Sequence, residues 1–107
     1  MAFSLTDALV SSSPTSQTSA QFTAGPCPIV SANGTANAIV WAYEFTSTAV
    51  LHAYAAGNLA TELYNSDQAP NGRDQFGAGW ENIIPVVADG KVFVASKNSV
   101  AVFGLLP

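Results

Sequence analysis

Charge is scarce in this chain. Of its 107 residues only 9% are charged, while 49% are hydrophobic. A soluble globular domain averages about 25% charged residues. A chain of this length has much surface for its volume and would ordinarily coat it with charge. The shortage implies that part of the surface is covered by another subunit. Basic residues are scarcer still: Arg73, Lys91 and Lys97 are the three, and the formal net charge is -4. Nucleic-acid binding needs clustered Lys and Arg to displace counterions, and three scattered cations make no such patch. The same lack disfavours anionic membrane surfaces. No apolar run approaches the roughly 20 residues that span a bilayer. Met1 to Val10 contains Asp7, no basic residue and no apolar core, so it does not read as a secretory signal. Cys27 is the only cysteine, which excludes an intramolecular disulfide and leaves the redox compartment open. Between Pro26 and Pro28, with no cation nearby to activate it, it reads as a small inert residue at a strand entrance.

A sustained helical period is also missing. Short β-branched and aromatic runs bounded by Gly, Asn, Pro and Ser take its place, and these signal strands. Ile39 to Phe45 puts Trp41, Tyr43 and Phe45 on one face and Val40, Ala42 and Glu44 on the other. Val50 to Tyr54 and Lys91 to Ala95 are equally strand-like, and Asn33-Gly34, Gly57-Asn58 and Asp89-Gly90 are turn dipeptides. Asn58 to Tyr64 is the one stretch with helical character, but its repeat partner reads as strand.

The runs repeat. Pro28 to Gly34 followed by Ile39-Val40-Trp41-Ala42 matches Pro85 to Gly90 followed by Val92-Phe93-Val94-Ala95. Leu51-His52-Ala53-Tyr54 matches Val100-Ala101-Val102-Phe103, and an earlier copy begins at Ala2-Phe3. Leu5 to Ser11 parallels Gly57 to Leu63. A four-strand unit recurring at about 40–50 residues marks the blades of a β-propeller; the spacing here is slightly longer, with loops at Thr46–Ala49 and Asp67–Gly79. The expected fold is therefore all-β, with two four-stranded antiparallel propeller-type blades per chain. Residues 1–107 read as a single domain: 1–20 hold the outer strands of a partial blade, 21–69 a complete blade and 80–107 a partial last blade. The complete blade has strands at Pro28–Ser31, Ala38–Phe45, Ala49–Ala55 and Ala60–Ser66. The last has them at Asn82–Ala88, Lys91–Ser96 and Ser99–Leu105, without a fourth. A leftover third strand lies at Phe3 and a fourth near Leu9–Ser16. Two blades cannot cover their own faces, so homo-oligomerisation is expected, with the N-terminal strand of one copy completing the last blade of another. Three or four copies would give six or eight blades.

The same residues carry a family resemblance. Val30 to Thr35 with Ile39 to Ala42, Val50 to Tyr54, Asn58 to Ser66, Arg73-Asp74-Gln75 and Val87 to Val94 resemble the bacterial quinoprotein-like, or pyrroloquinoline-quinone (PQQ)-repeat-like, β-propeller proteins. The resemblance covers nearly the whole chain to Phe103-Gly104-Leu105-Leu106-Pro107. Members are several times longer, so it implies a C-terminal piece of about two blades, starting internally or cloned as a fragment. It also implies that longer relatives are exported. PQQ itself is not expected here, because quinone enzymes hold it with residues and a metal converging from a complete ring, and none of these maps onto this chain.

Candidate chemistry is sparse. His52 is the only histidine. Its plain role is a strand residue sharing a face with Val50 and Tyr54. The sharper one uses symmetry: several copies of His52 at a subunit interface, with a water, would make an open zinc site. The seven carboxylates, Asp7, Glu44, Glu62, Asp67, Asp74, Glu81 and Asp89, read as solvated, capping or turn residues, and Arg73-Asp74 as a loop ion pair. The Ser11 to Ser19 stretch has no nucleophile-elbow pattern. The leading function is a self-assembling structural or interaction module. A metal-dependent hydrolase of esters or phosphotriesters with an interfacial site at His52 is the alternative. A small-ligand binding module using Trp41 or Trp80 is the third class.

Overall fold

The computed structural model describes residues 1–105; Leu106 and Pro107, the end of the expected last blade, lie outside the described residues. The strands in chain order are β1 (Leu5–Thr6), β2 (Leu9–Val10), β3 (Ile29–Asn33), β4 (Ala36–Glu44), β5 (Val50–Ala55), β6 (Glu62–Asn65), β7 (Val86–Ala88), β8 (Lys91–Ala95) and β9 (Val100–Phe103). A short 3-10 turn, Pro70–Gly72, separates β6 from β7. The chain is all-β, and all its strand pairs are antiparallel. Three sheets form, ordered β1-β2, β3-β4-β5-β6 and β7-β8-β9. Each strand lies beside its neighbour in the chain, as short turns dictate. At Asp89-Gly90 both residues have positive φ, 49° and 67°, the two-residue hairpin turn whose twist suits the flanking strands.

The fourth strand expected near Leu9–Ser16 is much shorter. Regular pairing stops at Val10, and only an isolated bridge from Ala2 to Ser16 continues it. Ser11 turns its hydroxyl to the Ser13 carbonyl (2.8 Å), and Pro14 has no N–H to donate, so the ladder cannot run through.

The repeat also shifts by one residue on pairing. The sequence aligns Ile39-Val40-Trp41-Ala42 with Val92 to Ala95. In the sheets, Val40 lies between Val30 and Tyr54 as Val92 lies between Val87 and Phe103. The true counterparts of Val92 to Ala95 are thus Val40 to Tyr43. A register shift between Ser31 and Asn33 lengthens the β3–β4 hairpin relative to β7–β8 and hides this.

The four-stranded sheet is covered on both faces. On one, Trp41, Tyr43 and Leu51 meet Val87, Val92, Val94, Ala101 and Phe103 of the three-stranded sheet. On the other, Val40, Ala42 and Tyr54 meet Leu59, Ala2 and Phe22. Period-2 alternation produces this double coat, since successive side chains on β4 and β5 point to opposite faces. The segment from Phe76 to Trp80 stitches the two larger sheets together. Gly77 O accepts from Ala49 N–H (2.9 Å), Gly79 N–H donates to Thr46 O (3.1 Å), Ala78 O accepts from Lys97 N–H (2.9 Å), and Trp80 N–H donates to the Tyr43 hydroxyl (2.8 Å). Gly79 is required there, because a Cβ would sit 2.5 Å from Thr46 O.

Candidate functional site: a histidine between two glutamates

The densest polar cluster lies on the face of β5 turned toward the N-terminal segment. His52 is 6% exposed. Its Nδ1 is 2.6 Å from Glu62 Oε1 and its Nε2 3.1 Å from Glu44 Oε2. The Tyr54 hydroxyl lies 3.3 Å from Nδ1, and the two rings stack at 5.9 Å. Phe22 closes the cluster edge-on, with its ring 5.3 Å from the imidazole.

Each partner arrives by strand geometry. Ala42 pairs with His52 and Glu44 with Val50, so Glu44 sits diagonally from His52 on the same face, within reach of a long side chain. Glu62 arrives through a bulge. Ala53 pairs with Tyr64, yet Tyr54 pairs with Glu62, so Leu63 is the extra residue. Without the bulge, Glu62 would point to the opposite face, because one residue of slip inverts every side chain. Leu63 itself is left exposed.

Electrostatics follow from this packing. Burial, reinforced by the charge and hydrogen bonding of Glu62 and the charge of Glu44, pushes the Tyr54 phenol up to about 12. At Glu62 burial opposes ionisation. Hydrogen bonds from His52 and Asn65, the attraction of His52 and the Tyr54 hydroxyl outweigh it and hold the carboxyl below its ordinary value. The cluster thus keeps a buried imidazole fully partnered, the condition under which a polar group tolerates burial.

His52, the expected zinc ligand, therefore lies in the interior of its own chain with both ring nitrogens turned to Glu44 and Glu62. The two carboxylates lie on opposite sides of the ring and do not converge on one point. Among the described residues, no group of three or more His, Cys, Asp or Glu side chains is placed to hold a metal ion. Glu44 and Glu62, read as solvated or capping residues, stay partly solvent-exposed and in addition pair with the histidine. Glu44 was within reach of the sequence: Glu44 and His52 fall on matching faces once Phe45–Ala49 is taken as the hairpin loop. Glu62 was not, because nothing in Glu62-Leu63-Tyr64 announces a bulge.

The loop ion pair is present. Arg73 Nε and Nη2 donate to Asp74 Oδ1 and Oδ2 at 2.7 and 2.9 Å, and Asp74 Oδ2 accepts from the Tyr64 hydroxyl at 2.7 Å. The hydrogen bonds from Arg73 and then Tyr64 take the Asp74 carboxyl down to about 2 against a smaller effect of burial. Burial and Asp74 push the Tyr64 phenol up. The two tryptophans face different hollows: Trp41 lines a cleft between the two larger sheets, and Trp80 a smaller recess beside Cys27. Cys27 is exposed and unpaired. Among the described residues no helix is long and apolar enough to cross a membrane. Compared with protein-family models, curated proteins and solved structures, the chain gives no significant match.

Proposed function

We propose that the chain is a propeller-type assembly module, a piece that functions by associating with copies of itself into a closed ring of sheets. One observation carries this reading. Leu51 and Ala53 on β5 point toward a neighbouring sheet and are 0% and 2% exposed; Val100 and Val102, their repeat counterparts on β9, point to where a further sheet would lie and are 67% and 54% exposed. The same outer face carries exposed Val86, and the edge of β9 away from β8 is unpaired. At the other end of the chain, the β1-β2 hairpin exposes Leu5, Leu9 and Val10. An apolar face with an open edge is a site for another chain, and a low-charge surface agrees with its being covered.

The two ends differ, so the contact is head to tail, the N-terminal strand of one copy completing the three-stranded sheet of the next as its fourth strand. Heterologous contacts of this kind close into rings when the rotation allows. Each copy then adds one whole sheet and one shared sheet. Three or four copies give six or eight, within the about 4–8 blades of known propellers. The resemblance to PQQ-repeat-like propellers agrees with this reading, and no quinone enters it.

Light scattering on the purified chain tests it. The expected result is a single species of three or four copies that Val100→Lys with Val102→Lys converts to a folded single chain. A wild-type chain that stays monomeric at about 100 μM, well above the Kd expected of a stable interface, would sink the proposal.

A further inference from the structure

We propose that the cleft between the two larger sheets is a binding site for an uncharged, flat aromatic molecule carrying an oxygen acceptor. The sheets pack tightly around Tyr43, Leu51, Val92 and Val94. Toward Ile39 and Gly90 they splay apart and leave a cleft of about 550 Å³. Ligand pockets run about 300–1,000 Å³, so this volume is ample for a small molecule in so small a protein. Gly90 and Gly104 stand on its lining with no side chains to fill it, and a Cβ built on Gly90 would meet nothing within 4 Å.

The lining selects the ligand class. Trp41, Tyr64 and Phe103 contribute three aromatic rings, with Tyr64 and Phe103 edge to face at 6.3 Å. Two of these rings are fixed from behind: Trp41 Nε1–H donates to Ser31 Oγ (2.9 Å), and Tyr64 is tied to Asp74. Walls held in one orientation lose little entropy on binding. Flat apolar rings favour a flat aromatic guest by offset or edge-to-face contact. Arg73 and Asp74 are the charged groups on the lining, and they neutralise each other. An anion would meet the Asp74 oxygens and a cation the guanidinium, so the cleft favours neither. A guanidinium has five N–H donors, and Asp74 takes two. The remainder suit a carbonyl oxygen at the edge of the guest.

Val102 stands both on the lining of the cleft and on the face proposed for assembly, so binding is read together with the assembly mass. Coumarin, which is flat, uncharged and carries a carbonyl, is titrated into the Trp80→Phe chain while Trp41 emission is read. Saturable quenching with a midpoint at or below about 1 mM is expected for a guest of this size. Phe103→Ala should weaken it by about 3–10-fold, the worth of one aromatic contact. Arg73→Gln should weaken coumarin by about 3–10-fold, the net worth of one solvent-accessible hydrogen bond, and leave naphthalene, which has no acceptor, unchanged. Far-ultraviolet circular dichroism confirms that each variant is folded. The absence of saturable quenching from the folded chain overturns the proposal, as does a Phe103→Ala chain that binds equally well. A fall in assembly mass on adding coumarin also overturns it, because a second copy would then be the natural occupant.

Discussion

Strands β5 and β9 occupy the same place in the repeat and meet different fates. β5 lies between β4 and β6 and is covered on both faces, so that Val50 to Tyr54 are all buried. Among the described residues β9 has β8 on one side and no strand on the other, and its exposure alternates. The sequences do not explain the contrast, since Val100-Ala101-Val102-Phe103 is as apolar as Leu51-His52-Ala53-Tyr54. Position explains it: β5 has a layer on either side and β9 has one. The polar cluster adds a second difference. The repeat counterpart of His52 is Ala101, which packs directly against the four-stranded sheet.

The contrast can be broken by substitution. The largest expected effect is at Leu51→Ala, which leaves a cavity in a fully covered position and should cost about 2–5 kcal/mol by urea unfolding. Val100→Ala, the matching change on β9, should cost under about 0.5 kcal/mol in a dissociated chain. Comparable costs at both sites would mean that β9 is already covered in the single chain.

The polar cluster comes next. His52→Ala removes the shared partner of Glu44 and Glu62 and should cost about 2–4 kcal/mol, chiefly by leaving two carboxylates without it. Glu62→Ala should reproduce part of this loss, because it removes the partner of Nδ1. A Glu62→Ala chain as stable as the parent would show that Glu62 contributes nothing to holding His52.

Acid response is the smallest effect at the polar cluster. The folded chain holds the Glu62 carboxyl below its ordinary value of 4.5. The stabilisation is therefore complete above that value and is lost as pH falls through the lowered folded value. Thermal melts between pH 6 and pH 3 should show a loss that Glu62→Gln reduces, the remainder belonging to Asp74, which is also lowered. The Glu62 share should not exceed about 1 kcal/mol, because the side chain is partly solvated. A parent and Glu62→Gln pair with identical pH profiles would show that the carboxylate is not coupled to folding.

Much of the architecture was legible because it rests on local signals. Alternation in Ile39 to Phe45, turn residues at Asn33-Gly34 and Asp89-Gly90, and the recurrence of Pro28 at Pro85 are enough to place strands, turns and the order of the sheets. The faces of β4 were equally readable: Trp41 and Tyr43 go one way, Val40, Ala42 and Glu44 the other. What stayed hidden depends on events one residue long. The bulge at Leu63 decides which face Glu62 takes, and the longer β3–β4 hairpin shifts the repeat by one position. Neither leaves a mark in composition, since a bulge is decided by the competition between packing arrangements. The Trp41 cleft was hidden for another reason, as it arises from the angle between two sheets and no single strand encodes that.

The order of pairing along the chain bears on how fast the molecule forms. Every sheet is a meander of consecutive strands, so the segments that must meet are separated by short loops whose closure is rapid. Within each sheet, folding is a first-order event that one chain completes alone. On the proposed assembly, covering the outer face of β9 would be second order and would slow as the chain is diluted. Between those two steps would stand a folded chain with a bare apolar sheet, and the ratio of the rates would set how long it is open to unintended partners.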